Sequence, residues 1–138
     1  MARKKYHDYL RRVSLFADLD DDELDAVGKA STDLDVKAGS VLMREGSPGR
    51  EMVVVVEGTL EVTRDGTHIA DIEPGGIAGE LALLTHAPRN STVVAKTDVS
   101  LLHIDSRVFK SLLEEVPQIA VKMLPVVAAR ARPHPPDD

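Results

Sequence analysis

The sequence contains no cysteine and no tryptophan, and aromatic residues make up only 3% of its 138 positions. Without cysteine, disulfide frameworks, Cys-ligated zinc, iron–sulfur clusters and thiol catalysis are all excluded. With so few aromatic residues, the core must be built from aliphatic side chains. The remaining composition, 43% hydrophobic and 29% charged, is typical of a globular chain, and its length fits one domain.

Long apolar runs and an excess of positive charge are also missing. The longest apolar stretch, Met52 to Val56, has the length of a strand, and the basic N-terminus is not followed by an apolar signal core. We therefore expect no membrane association and a cytoplasmic location. The net charge is −6 and the pI is about 5.3, so we expect no direct nucleic-acid binding by this chain.

Helical patterns flank a β-rich middle. The region from Lys5 to Ala30 has a helical pattern that is broken in its middle. Between Asp33 and Asp105, seven short runs alternate with glycines: DLDVK, SVLMRE, MVVVVEG, TLEVTRDG, THIADIE, STVVAKT and VSLLHID. The pair Asp65-Gly66 is typical of a tight hairpin turn. Closely spaced strands of this kind predict a small antiparallel β-roll, jelly-roll-like in character.

Two helices are predicted after the roll. The first begins at Ser106, with Asp105 or Ser106 as its cap, and the second begins at Pro117. Pro125 lies inside the second helix and should kink or weaken it. The Pro- and Asp-rich residues 133–138 predict a disordered tail. The predicted fold class is therefore mainly β, an antiparallel β-roll with N-terminal helices and two C-terminal helices.

The segment GELALLTHAPRNST, residues 79–92, has the chemistry of an anion site. If Gly79 ends a loop and Glu80 starts a helical turn, the amides of Leu81 and Ala82 lack helical partners and attract an anion. Arg89 offers a fork-shaped cation suited to phosphate. Glu80 would repel a phosphate, but it could accept hydrogen bonds from sugar hydroxyls of the same ligand. This combination predicts a nucleotide with one phosphate; the alternative is an exposed, weak ion pair.

The segment resembles the phosphate-binding cassette of the cyclic nucleotide-binding domain family. The matching residues are Gly79-Glu80-Leu81-Ala82-Leu83-Leu84 and Pro88-Arg89-Asn90-Ser91-Thr92-Val93. The strand residues 54–62 and the loop Pro74-Gly75-Gly76 also resemble the family's pattern. The resemblance covers nearly the whole chain, so we expect one cyclic nucleotide-binding domain over residues 1–132, followed by the tail.

The resemblance implies a role for each cassette residue. Glu80 would bind the ribose 2′-hydroxyl and Arg89 the cyclic phosphate, with backbone contacts from Gly79, Leu81 and Ala82. The stretch Asn90–Ser91 would line the phosphate side. Binding would draw the cassette inward, reposition a hinge near Phe109–Leu113 and close the last helix over the base.

The chain departs from the family pattern at three places. Ala78 stands where an aromatic residue often precedes the glycine. The last helix has no aromatic residue to stack on a purine, so a lid must be aliphatic, from Met123, Leu124 or Val127. Asn90 stands where cyclic-GMP-selective members carry a hydroxyl residue. It could contact either purine, or it could be an ordinary turn residue.

These features favour a cyclic nucleotide sensor over an enzyme. No H-x-H pair supports a metal-binding cupin, and Ser91 and Thr92 lack an evident histidine base. We expect cyclic AMP as the ligand, with cyclic GMP second, and no cofactor or metal. The partner would be an unknown protein or output domain, and the chain would be a stand-alone sensor or an excised regulatory domain. The alternative function is a ligand-free protein-interaction module with the same fold.

Overall fold

A computed structural model describes residues 6–80, 82–85 and 87–130. The helices are α1 (His7–Arg11), a 3₁₀ turn (Ser14–Phe16), α2 (Asp21–Ala30), α3 (Ala82–Thr85), α4 (Ser106–Glu115) and α5 (Pro117–Arg130). The strands are β1 (Thr32–Val36), β2 (Val41–Met43), β3 (Glu51–Glu57), β4 (Leu60–Arg64), β5 (Thr67–Ile72), β6 (Ile77–Ala78), β7 (Thr92–Ala95) and β8 (Val99–Asp105).

The strands form two four-stranded antiparallel sheets. Their orders are β1-β8-β3-β6 and β2-β7-β4-β5. The predicted fold class is confirmed, and each of the seven predicted runs contains a strand. The short strand β6 was not predicted; its two residues pair with Val53 and Val54 of β3. Asp65 and Gly66 both have positive φ and form the predicted turn between β4 and β5.

The run Met52 to Val55 is apolar at every position because both faces of β3 are buried. Val53 and Val55 face the interior of the roll, where they pack with residues of the other sheet such as Leu60 and Val93. Met52 and Val54 face the helices and pack in a second core with Phe16 and Phe109. The ring centroids of these two phenylalanines are 5.8 Å apart. The N-terminal and C-terminal helices therefore share one core on the outer face of β3.

The C-terminal helices are separated at Val116, whose φ of −129° and ψ of 73° leave the helical region. The Asp105 side chain caps α4 by accepting hydrogen bonds from two backbone amides. The segment Phe109–Leu113, where a hinge was expected, lies inside α4. Helix α5 begins at Pro117, as predicted, and continues past Pro125, which does not end it. The predicted tail, residues 133–138, lies outside the described residues.

A buried carboxylate connects the two helical ends. Glu23 is 5% exposed and forms a capping box with Asp20 at the start of α2. The same Glu23 Oε1 accepts a hydrogen bond from Lys122 Nζ of α5 at 2.5 Å. This bond raises the pKa of Lys122, burial opposes the shift, and the charges of Glu23, Asp20 and Asp18 raise the pKa further. Within the described ranges, no helix has the length and apolarity needed to cross a membrane.

Candidate functional site

A cavity of about 610 Å³ opens beside the segment that the sequence singled out. One wall is aliphatic and includes Met43, Val62, Ile72 and Val93 from the roll. Another part of the lining contains five of the predicted site residues, namely Gly79, Glu80, Arg89, Asn90 and Ser91. The fold therefore gathers these residues around one space that has both apolar and polar lining.

A backbone ladder holds the cassette in place. The loop between β2 and β3 pairs with it through bonds from Gly46 N to Arg89 O at 2.8 Å and from Arg89 N to Ser47 O at 2.8 Å. A third bond joins Gly49 N to Ala87 O at 3.1 Å. Because both polar groups of the Arg89 main chain are bonded, the start of its side chain is fixed relative to the roll.

The Arg89 side chain passes directly over Gly79. Gly79 has a φ of +81°, and a Cβ at this position would lie 2.6 Å from Arg89 Nη1. Arg89 Nη2 donates a hydrogen bond to the carbonyl oxygen of Glu51 at 2.8 Å. The guanidinium thus lies against a backbone position that only glycine leaves open.

The guanidinium is half-buried, and burial lowers the pKa of Arg89. The charge of the Glu51 carboxylate partly offsets this effect. That carboxylate also hydrogen-bonds His103. Arginine stays protonated at neutral pH even when its pKa is lowered, so the cavity contains a partly desolvated cation. A cation in this condition gains more from an anionic ligand than a fully hydrated one would.

Glu80 is held by the N-terminal 3₁₀ turn. Its Oε2 accepts hydrogen bonds from Ser14 Oγ at 2.8 Å and from Leu15 N at 3.1 Å. Among the residues that the structure describes, no ion pair joins Glu80 to Arg89, so the geometry does not favour the ion-pair alternative. A carboxylate has about four acceptor positions, and the bonds from Ser14 and Leu15 both go to Oε2.

The predicted helical turn lies next to these residues. Leu83 N donates to Glu80 O at 3.4 Å, and helix α3 follows. Leu81 lies outside the described residues, and for Ala82 the structure gives only its place at the start of α3. The amide donors predicted at these two positions therefore stay a prediction.

Asn90 and Ser91 form a small network with Arg64. Ser91 is 8% exposed, and its hydroxyl donates to Asn90 Oδ1 at 3.0 Å. Arg64 at the end of β4 donates from Nε to Asn90 O at 3.0 Å and from Nη2 to Ser91 Oγ at 3.2 Å. The Asn90 side chain is thus bonded to its neighbour, and its contact with a purine stays a prediction.

None of the three predicted lid residues lines the cavity. Met123 is 2% exposed and packs in the core shared by the helices. Val127 is half-buried against the same core, and Leu124 is 62% exposed. Their role as a lid stays a prediction, and it would require α5 to change its position.

Four contacts of the site were missed from the sequence: Ser14, Leu15, the Glu51 carbonyl and Arg64. The first two precede Glu80 by 66 and 65 residues. A backbone carbonyl carries no residue-type signal, and Arg64 resembled an ordinary polar residue at a strand end.

The chain is similar in sequence to several known proteins. The family model described as cyclic nucleotide-binding domain matches residues 34–116. A cyclic nucleotide-gated potassium channel of Mesorhizobium japonicum is 39% identical over 108 residues, which are 78% of this chain and 30% of the channel. A cAMP-dependent protein kinase regulatory subunit of Dictyostelium discoideum is 30% identical over 125 residues, covering 85% of this chain and 38% of the subunit.

The solved structures include a close match in fold. The N-terminal domain of a transcriptional regulator from Streptomyces coelicolor A3(2) aligns with a TM-score of 0.82 and 34% identity, covering 88% of this chain and 91% of that one. The chain spans 15% to 38% of the length of the first curated relatives that it matches. The family match covers the roll, the cassette and α4, and the chain therefore belongs to the cyclic nucleotide-binding domain family.

Proposed function

We propose that the cavity binds a cyclic nucleotide, cyclic AMP in preference to cyclic GMP. Arg89 binds the cyclic phosphate, and Glu80 accepts a hydrogen bond from the ribose 2′-hydroxyl. The main support is the half-buried Arg89 guanidinium, which borders the cavity and rests on Gly79. The matching relatives include four cAMP-dependent protein kinase regulatory subunits and two cGMP-dependent protein kinases, which supports cyclic AMP as the preferred ligand and cyclic GMP as the second. The aliphatic residues of the lining suit the apolar faces of the ribose and base.

The proposed activity is binding without hydrolysis. Hydrolysis of a cyclic phosphate needs an activated nucleophile or a metal-bound water. The hydroxyl nearest to Arg89 in the sequence, that of Ser91, donates to Asn90 and accepts from Arg64. Neither partner is a general base. The arrangement is therefore suited to holding a phosphate in place rather than to cleaving it.

The proposed output is a change in the position of α5, within a domain that spans residues 1–132. The backbone break at Val116 offers a pivot between α4 and α5. Because the matched relatives are several times longer, we infer that the movement is read by a fused output domain or by a partner protein. For such a signal, the ligand must bind the two positions of α5 with different affinity.

Calorimetric titration with cyclic AMP and cyclic GMP tests this function, with 5′-AMP as a control for general nucleotide binding. We expect saturable binding of cyclic AMP and a higher melting temperature. At a ligand concentration one hundred times Kd, the stabilisation should be about 2.7 kcal/mol. Absence of heat and of a thermal shift with both cyclic nucleotides at millimolar concentration would refute the proposal. That result would favour the ligand-free interaction module.

A further inference from the structure

Arg64 reaches the cassette from outside the cavity. It is an exposed residue at the end of β4, and it does not line the space that Asn90 and Ser91 border. Its guanidinium nevertheless contacts both of them, with bonds of 3.0 Å to Asn90 O and 3.2 Å to Ser91 Oγ. Two donors of one rigid fork thus bind two consecutive residues, which restricts the segment more than a single bond would.

The bond to the Asn90 carbonyl also orients the amide of Ser91. The structure has no cis peptide bond among the described residues, so the Asn90–Ser91 peptide is trans. In a trans peptide, the C=O and the following N–H point in opposite directions. Because the carbonyl points to Arg64, the Ser91 N–H points away from Arg64.

The bond to Ser91 Oγ determines how the hydroxyl can act. A serine hydroxyl has one hydrogen to donate. Since its oxygen accepts from Arg64, that hydrogen must point to a different atom, which here is Asn90 Oδ1. Ser91 is buried, so water has little access to change this arrangement. Arg64 thereby makes the Ser91 hydroxyl a donor, which is the role that an anionic oxygen requires.

The end of β4 is itself fixed, so Arg64 starts from a defined position. Asp65 N donates to Glu45 Oε1 at 2.8 Å, and Glu45 N donates to Thr92 Oγ1 at 3.1 Å. Glu45 therefore ties the turn after Arg64 to the strand that follows Ser91. The distance between the guanidinium and its two acceptors is set by the fold.

We propose that Arg64 is a positioning residue for the phosphate side of the cavity. It holds the Asn90–Ser91 peptide so that the Ser91 hydroxyl and amide are ready to donate to a cyclic phosphate oxygen. In this arrangement Asn90 Oδ1 occupies the place of that oxygen until the ligand arrives, and Asn90 does not read the purine. The proposal rests on the proposed function, in which the cavity binds a cyclic nucleotide.

Four variants test this assignment by calorimetry with cyclic AMP: Arg64→Ala, Arg64→Lys, Ser91→Ala and the double variant Arg64→Ala/Ser91→Ala. Arg64→Ala should weaken binding by about tenfold, the size expected for one charge-assisted hydrogen bond. Arg64→Lys should not restore affinity, because lysine lacks the fork that reaches both acceptors. The double variant should bind no more weakly than the worse single variant, since both changes remove the same interaction.

Arg44→Ala is the matched control. Arg44 is also exposed, and it lies just after β2, at the start of the loop between β2 and β3 that pairs with the cassette. Its replacement by alanine removes one positive charge, as Arg64→Ala does. Full affinity in Arg64→Ala would overturn the proposal. So would an equal loss in Arg44→Ala, or losses that multiply in the double variant.

Hydrogen exchange without ligand separates this proposal from the proposed function. In Arg64→Ala, the amides of residues 89–92 should exchange faster than in the wild type, while the melting temperature changes little because Arg64 is exposed. Unchanged exchange in this segment would overturn the positioning role. A wild-type chain that binds neither cyclic nucleotide would refute the proposed function, and the exchange result would still decide whether Arg64 fixes the segment.

Discussion

Replacing Gly79 with alanine tests whether the cavity needs the Arg89 guanidinium in its observed position. The new Cβ would lie 2.6 Å from Arg89 Nη1 and 2.6 Å from the Glu51 carbonyl oxygen. Both distances are far below normal contact, and the carbonyl belongs to the central strand β3, which cannot shift easily. The guanidinium must therefore move away from its present place.

The size of the effect can be separated into two parts by using Gly46 as a control. Gly46 has a φ of +82°, close to the +81° of Gly79, but among the described residues other than its two chain neighbours no atom lies within 4 Å of its potential Cβ. Gly46→Ala should therefore cost only the backbone strain of a left-handed residue, about 1–2 kcal/mol. Gly79→Ala should add overpacking of about 1–3 kcal/mol. The two variants should differ in free energy of unfolding by that second amount.

Binding should differ more clearly than stability. Displacing Arg89 should weaken its bond to the phosphate by about 1–3 kcal/mol, or roughly 5- to 150-fold in affinity for cyclic AMP. Gly46→Ala retains the amide that bonds Arg89 O, so its affinity should match the wild type. Urea unfolding and calorimetry measure both quantities. Equal destabilisation in the two variants, together with unchanged affinity in Gly79→Ala, would refute this reasoning.

Four further predictions follow from the site and the helices. Arg89→Ala should lose about 2–5 kcal/mol of binding to cyclic AMP, or tens- to thousands-fold in calorimetric affinity, and full affinity would contradict its assignment. Glu80→Ala should bind cyclic AMP more weakly but 2′-deoxy cyclic AMP as the wild type does; equal losses with both ligands would exclude a ribose contact. Deletion from Leu124 onward should leave a folded roll with faster release in stopped-flow experiments, and unchanged release would mean that the last helix is no lid. Because the pKa of Lys122 is raised, its pair with Glu23 should stabilise the fold below pH of about 10.5 and lose this effect as pH rises through the raised pKa. Lys122→Met should therefore melt at a lower temperature than the wild type at pH 8, and the difference should shrink as the pH rises through the raised pKa of Lys122. A difference in melting temperature that stays the same at every pH would contradict this.

The fold was predictable where the sequence pattern of a segment matches the environment of that segment in the structure. The fully apolar run Met52 to Val55 is a strand buried on both faces, and the pair Asp65-Gly66 forms the turn that its conformational preferences indicate. Strand β6 is different, because Ile77 and Ala78 become a strand only by lying beside β3. A pairing of two residues is set by the tertiary structure, and no periodicity can reveal it.

Only the part of the site that lies in one continuous segment was predictable from the sequence. Gly79 to Ser91 contains the cation, the carboxylate and the glycine, so the sequence locates the cavity. The contacts that hold these groups come from distant parts of the chain: Ser14 for Glu80, the Glu51 carbonyl for Arg89 and Arg64 for Ser91. Sequence spacing cannot show which of many polar residues the fold brings to the segment.

The position of α5 limits how a lid could form. Apolar residues at helical spacing form one face of a helix, but the spacing does not show whether that face meets the core or a cavity. In this structure Met123 belongs to the core. Removing a buried methionine from the core costs about 1.5–3 kcal/mol, which the ligand would have to offset. Leu124 is already 62% exposed, so bringing it over a base would add burial instead of removing it. Of the predicted lid residues, Leu124 is therefore the one that gains burial over a base, and any movement of α5 about Val116 that withdraws Met123 from the core carries the cost given above.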